Sequence, residues 1–90
     1  MIIAMVVGNV WSTRKQDPLN GLKFMVVQRV PLSKDDKNKG FVAVDCVGAG
    51  IGEKVLIATG SAARRALGND DIPVDAAIVG IIDEAKDEGA

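Results

Sequence analysis

VDCVGAGIGEKVLIATGSAAR, Val44–Arg64, joins an apolar strand, a loop with glycine at Gly48, Gly50 and Gly52, a second apolar strand and a helix start at Gly60-Ser61. Its reading decides the fold, because a glycine-rich loop after a strand either opens a nucleotide-binding helix or leads into another strand. A P-loop needs a Gly-Lys pair followed by Ser or Thr. Here Glu53 separates Gly52 from Lys54, and Val55 follows. A dinucleotide fingerprint needs a third glycine where Glu53 stands and should open a helix, yet VLIATG reads as strand. The stretch is therefore expected to be strand, tight hairpin, strand, with the glycines supplying positive φ. Gly48, Ala49, Gly50 and Gly52 also leave almost no side-chain bulk, so copies of the loop can crowd around the axis of a cyclic oligomer.

Outward from this loop the chain keeps offering short strands. Met1–Val10 is Ile- and Val-rich without a polar face, as in a strand covered on both sides in a barrel or at an interface, and Gly8 within it suggests a bulge or a close backbone approach. Asp17-Pro18 and Asn20-Gly21 are turn signals, which puts Thr13, Arg14 and Lys15 on an exposed strand end or loop. Phe24–Val30 is a second strand ended by Pro31, and SKDDKNKG is a solvated loop. In the third strand, Phe41–Val47, alternation places Phe41, Ala43, Asp45 and Val47 on one face and Val42, Val44 and Cys46 on the other. Val55–Thr59 is the fourth strand. Ser61 is a good N-cap for a short helix Ala62–Leu67 that Gly68 can end. Ala76–Ile82 is the fifth strand, interrupted by Gly80, and an acidic tail follows over 84–90. Residues 1–83 form a single domain. Five short strands, one short helix and no long crossover helix predict an antiparallel all-β fold, closed into a small barrel of the oligonucleotide-binding (OB) type.

Composition bounds what such a barrel does. The chain has 90 residues, 48% of them hydrophobic but only 3% aromatic. A domain of this size buries a modest share of its surface, and one cysteine cannot form an internal disulfide. Subunit contacts are the natural source of the missing burial. The net charge is −1 with both signs interspersed, so no field attracts nucleic acid or an anionic membrane. The apolar opening lacks a basic start and falls short of the ~20 residues that span a bilayer, which predicts a cytoplasmic protein.

Catalysis has little to stand on. The chain contains no His and no Tyr, which removes the commonest general base. Cys46 is expected to be a small buried hydrophobe, and the scattered carboxylates show no metal-ligand spacing. No catalytic residue, cofactor or metal is expected. Gly60-Ser61 with Arg64 and Arg65 can hold an anion at a helix start, but a capped helix with exposed arginines explains it as well. Either arginine can instead grip a carboxylate across an interface, with Asp45 and Asp75 as acidic candidates. Single-strand binding by an OB-like module would require stacking aromatics in a basic groove. Only Trp11, Phe24 and Phe41 are on offer. The phenylalanines begin strands and suit the core, whereas Trp11 suits an interface.

The order and spacing of several blocks add a resemblance. They are Thr13-Arg14-Lys15 with Leu19, Gly21 and Lys23; Val27-Gln28; Ala43-Val44-Asp45; Val47-Gly48-Ala49-Gly50 with Gly52-Glu53; Val55-Leu56; Gly60-Ser61-Ala62-Ala63-Arg64; and Pro73 through Asp83. Together they resemble the EutN/CcmL family of small vertex-capping shell proteins of bacterial microcompartments, over nearly the whole chain. The resemblance implies a five-stranded OB-like barrel assembled as a cyclic homopentamer at the corners of a polyhedral, cytoplasmic shell, meeting hexameric facet proteins, with no enzyme activity. It also implies Gly48, Ala49 and Gly50 near a central pore, and Trp11, Thr13, Arg14, Lys15 and Arg64 at subunit or facet contacts. Trp11 fills a position where the family pattern has a smaller residue.

Overall fold

The first strand bends around everything else. In the computed structural model, which describes residues 1–10, 16–30 and 40–83, β1 runs Ile2–Val10. It pairs along one edge with β2, Phe24–Arg29, and along the other with β4, Lys54–Thr59. Its pairing with β2 slips between Val6 and Gly8, leaving Val7 as the extra residue of a bulge, a device that increases strand twist. The expectation attached to Gly8 holds.

β3, Gly40–Asp45, pairs antiparallel with β2, and β5, Ala76–Ile82, pairs antiparallel with β4. The barrel closes where β3 meets β5, in the order β1-β2-β3-β5-β4 and back to β1. This last pairing is parallel and short, through Val44 with Ala77 and Asp45 with Ile78. A five-stranded barrel of this kind is the expected architecture. Two details differ from expectation. The sheet is not wholly antiparallel, and the glycine loop is not a hairpin, because β5 lies between the two strands that it joins. Sequence proximity does not decide pairing here, since the loop crosses the end of the barrel to β1.

Alternation sorts the side chains as a small barrel requires. Ala4, Val6, Met25, Val27, Ala43, Val55, Ile57, Ala76 and Ile78 point inward and form the core, with Ile2, Phe41 and Ile81 packed against it. A second cluster lies outside the barrel wall. There Val44, Ile72 and Val74 pack with Leu19, Leu22, Phe24 and Leu67, bringing the 3-10 turn Asp17–Leu19 and the chain after the helix onto the outer face of β3.

The helix α1, Gly60–Ala66, packs on β4 and β5 with Ala63 fully buried. Small residues at Ala58, Ala63 and Ala77 are all buried there. Its C-terminus is a Schellman motif: Gly68, at φ 73°, donates to the Arg65 carbonyl at 3.0 Å, and Asn69 donates to that of Arg64 at 3.2 Å. Gly68 ends the helix as expected. Ser61 does not cap its start. The helix begins two residues earlier than a Ser61 cap needs, the N-cap position is Thr59 without a side-chain bond, and Gly60 at φ 59° donates its N–H to the Asp75 carbonyl at 2.9 Å.

Candidate functional site

Two carboxylates shape the glycine loop. Asp45 ends β3, and its Oδ1 accepts the N–H groups of Val47 and Gly48, each at 3.0 Å. Its Oδ2 lies 3.8 Å from Lys23 Nζ, and the Asp45 side chain is 2% exposed. This local alternative to the sheet ladder turns the chain out of β3 immediately after Asp45. At the other end, Glu53 Oε1 accepts the N–H of Gly50 at 2.7 Å while Glu53 donates its own N–H to the Gly50 carbonyl at 3.1 Å. Gly52 donates to the Val6 carbonyl at 2.8 Å, and Val6 donates to that of Glu53 at 2.9 Å. The loop is thereby stitched to β1 at its bulge.

Gly48 and Gly52 adopt φ of 82° and 91°, the left-handed region in which a β-carbon is costly. Gly50 does not share it. Ala49 is 1% exposed and belongs to the barrel core, so its methyl group plugs the barrel end rather than facing outward. What the loop presents to solvent is Gly48 and Gly52, with Val47 and Ile51 exposed at 42% and 61%. Sequence reasoning missed Glu53 as a structural residue. It read Glu53 only as a departure from a glycine fingerprint, although a carboxylate three residues after a glycine is a spacing that closes a turn.

Cys46 departs from expectation. It is exposed and free, lying just past the end of β3 at Asp45. Burial nevertheless pushes its thiol above the ordinary value, and the neighbouring Asp45 charge adds to this. That favours the unreactive protonated form.

The remaining expected site residues divide. Arg64 is half-buried in the last turn of α1, with no carboxylate within 4.0 Å among the described residues. Asp45 is engaged by Lys23 and two amides, so it is not the partner waiting for that arginine. Asp75 is exposed and lines a groove that Arg29 also lines. Trp11, Thr13, Arg14 and Lys15, and the tail 84–90, lie outside the described residues.

One strand face has no chemistry but a clear pattern. Ile3, Met5 and Val7 alternate on the outer side of β1, exposed at 44%, 36% and 42%. Leu56 pairs with Ile3. α1 covers part of the wall over β4 and β5 and the second cluster covers Val44, while Val42 on β3 is 46% exposed. Among the described residues no cluster of His, Cys, Asp or Glu could hold a metal, and no helix is long and apolar enough to cross a membrane.

Residues 1–83 match the model of the family described as "Ethanolamine utilisation protein EutN/carboxysome". The chain belongs to this family. It is 48% identical over 83 residues to the carboxysome shell vertex protein CcmL of Synechocystis, covering 92% of this chain and 83% of that one. The solved CcmL of Nostoc sp. PCC 7120 superposes with a TM-score of 0.84 at 46% identity, covering 100% of this chain and 95% of the other. GrpN of Rhodospirillum rubrum, described as a pentameric microcompartment shell protein, gives a TM-score of 0.78 at 40% identity, covering 96% and 99%. These EutN/CcmL relatives are named or described as shell proteins.

Proposed function

We propose that this EutN/CcmL-family chain is a structural vertex protein of a bacterial microcompartment, working as a cyclic homopentamer that caps the corners of a polyhedral shell in the cytoplasm. The observation that carries the reading is the full-length match of fold and sequence to relatives named as shell vertex proteins, one of them described as pentameric. The exposed aliphatic row on β1 supports it, because a small domain with no disulfide gains burial from its neighbours in a ring.

The mechanism is geometric. Flat layers of hexameric facet proteins cannot close, and a five-fold piece at each corner supplies curvature. The chain contributes shape, a rigid barrel whose end loop is pinned by Asp45 and Glu53. Gly48 and Gly50 present little bulk toward the ring axis, and Ala49 anchors the loop from within the barrel. The contacts to neighbours or facets are assigned to Trp11, Thr13, Arg14, Lys15 and Arg64. The reading includes no catalytic residue and no cofactor.

Co-assembly with a hexameric microcompartment shell protein tests this function. Electron microscopy should show closed polyhedra when the chain is present and open sheets or tubes when it is omitted. Equal yields of closed shells with and without the chain would overturn the vertex role.

A further inference from the structure

The barrel is unevenly closed. β1 pairs with β2 from Ala4 opposite Arg29 to Val10 opposite Phe24, and β4 pairs with β5 from Lys54 opposite Ile82 to Thr59 opposite Ala76. The β3–β5 seam joins only Val44 with Ala77 and Asp45 with Ile78, extended by the Cys46 N–H, which donates to the Ile78 carbonyl at 3.1 Å. Toward the start of β3 this pairing stops, and two depressions there share Val42 in their lining, the larger a groove of about 700 Å³. A junction with so few backbone bonds opens at a lower free energy than the rest of the sheet.

Two features tie the seam's sides together. On the outer face Val44, Leu22 and Phe24 pack with Leu67, Ile72 and Val74, joining the β2–β3 side to the chain between α1 and β5. At the barrel end, the glycine loop leaves β3 at Asp45, buries the Ala49 methyl group in the core, and is folded onto β1 by the Gly52 N–H to the Val6 carbonyl and the Val6 N–H to that of Glu53. We propose that this loop is the latch of the barrel. Unrolling the sheet at the seam draws β3 away from the closed end, straightens the loop, lifts Ala49 out of the core and breaks the bonds at Val6, so seam and loop open as one unit. Coupling of this kind is reciprocal: what loosens the loop loosens the seam, and the reverse. In the ring proposed above the loop lies toward the axis, so an axial opening widens only as the seam opens. That consequence rests on the ring, whereas the latch is a property of the single chain.

Hydrogen exchange followed by NMR tests the latch whether or not a ring forms, and native mass spectrometry tests the ring separately. In the wild type the amides of Cys46, Gly50 and Gly52 should exchange at least ~10-fold faster than those of Met5 and Gln28, which pair within β1 and β2, because a partial opening precedes global unfolding. Glu53→Ala removes the carboxylate that accepts the Gly50 N–H and leaves the seam's own bonds in place. It should speed Cys46 exchange about five- to thirty-fold, by the same factor as Gly52 exchange. Ile72→Val, which loosens only the outer cluster, should speed Gly50 and Gly52 together with Cys46 by about two- to ten-fold. If Glu53→Ala does not fold, this milder variant decides by whether the loop amides follow the seam amide. Cys46 exchange no faster than that of Met5 and Gln28 would overturn the proposal, as would a variant in which the seam and loop amides change by different factors.

Discussion

Glu53 and Gly50 hold each other by two hydrogen bonds in opposite directions: the Glu53 carboxylate accepts the Gly50 N–H at 2.7 Å, and the Gly50 carbonyl accepts the Glu53 N–H at 3.1 Å. A charged acceptor on a half-buried amide is the stronger kind of hydrogen bond. Glu53→Ala should therefore cost about 1–2 kcal/mol, read as a lower urea midpoint with an unchanged slope. Glu53→Gln, which retains an oxygen acceptor, should cost less. Equal midpoints for all three proteins would mean that the loop is held only by its backbone bonds to Val6.

At the other end of the loop, Asp45 should matter more than its ion-pair partner. Asp45→Ala removes the acceptor of two amides and should cost roughly 1.5–3 kcal/mol. Lys23 is 58% exposed and 3.8 Å away, so Lys23→Ala should cost no more than about 1 kcal/mol. Thermal melts of the two variants check the order. A Lys23 effect as large as that of Asp45 would show that the charge pair, not the turn, holds the loop.

These two carboxylates mark where the sequence stops being legible. The five strands, the inward set such as Phe41 and Ala43, and the bulge at Gly8 follow from alternation and composition, which act over a few residues. The parallel β3–β5 closure does not. It depends on which strands meet across the barrel, and a loop bracketed by glycines reads like a hairpin whether or not its strands pair. Ser61 differs for a related reason: Ser before an alanine run signals a cap, but the Asp75 carbonyl, distant in sequence, accepts the Gly60 N–H and the helix starts earlier. Cys46 followed the strand pattern on paper because only the Asp45 side chain, turning back onto Val47 and Gly48, ends that strand. The family resemblance rested on block order and spacing, and the comparison with solved relatives bears it out.

The glycines of the loop separate conformational need from spatial need. A β-carbon at Gly48 would meet nothing within 4 Å, yet its φ is 82°, so Gly48→Ala should cost about 1–2 kcal/mol through the backbone alone. Gly50 lacks a positive φ, and a β-carbon there would meet only the Glu53 carboxylate, at 3.4 Å. Gly50→Trp should leave the barrel folded by circular dichroism while hindering ring closure or blocking the pore. Normal pentamers with an unchanged pore would remove Gly50 from the axis.

Cys46 gives a pH-dependent signature. Burial, and then the Asp45 charge, raise its thiol above 9.0, so the folded state holds the proton to higher pH than the unfolded chain does. The unfolded state ionises first, and this contribution to stability is lost as pH rises through the ordinary thiol range. Alkylation of folded protein should be slower at pH 8 than that of a model cysteine peptide, and faster in Asp45→Asn. A thiol as reactive as the peptide would refute the assignment.

Solution mass tests the central claim most directly, because the vertex role requires a ring before it requires anything else. Native mass spectrometry at micromolar concentration should find five copies of the 9.4 kDa chain in one particle. A protein that remains monomeric throughout that range would contradict the account.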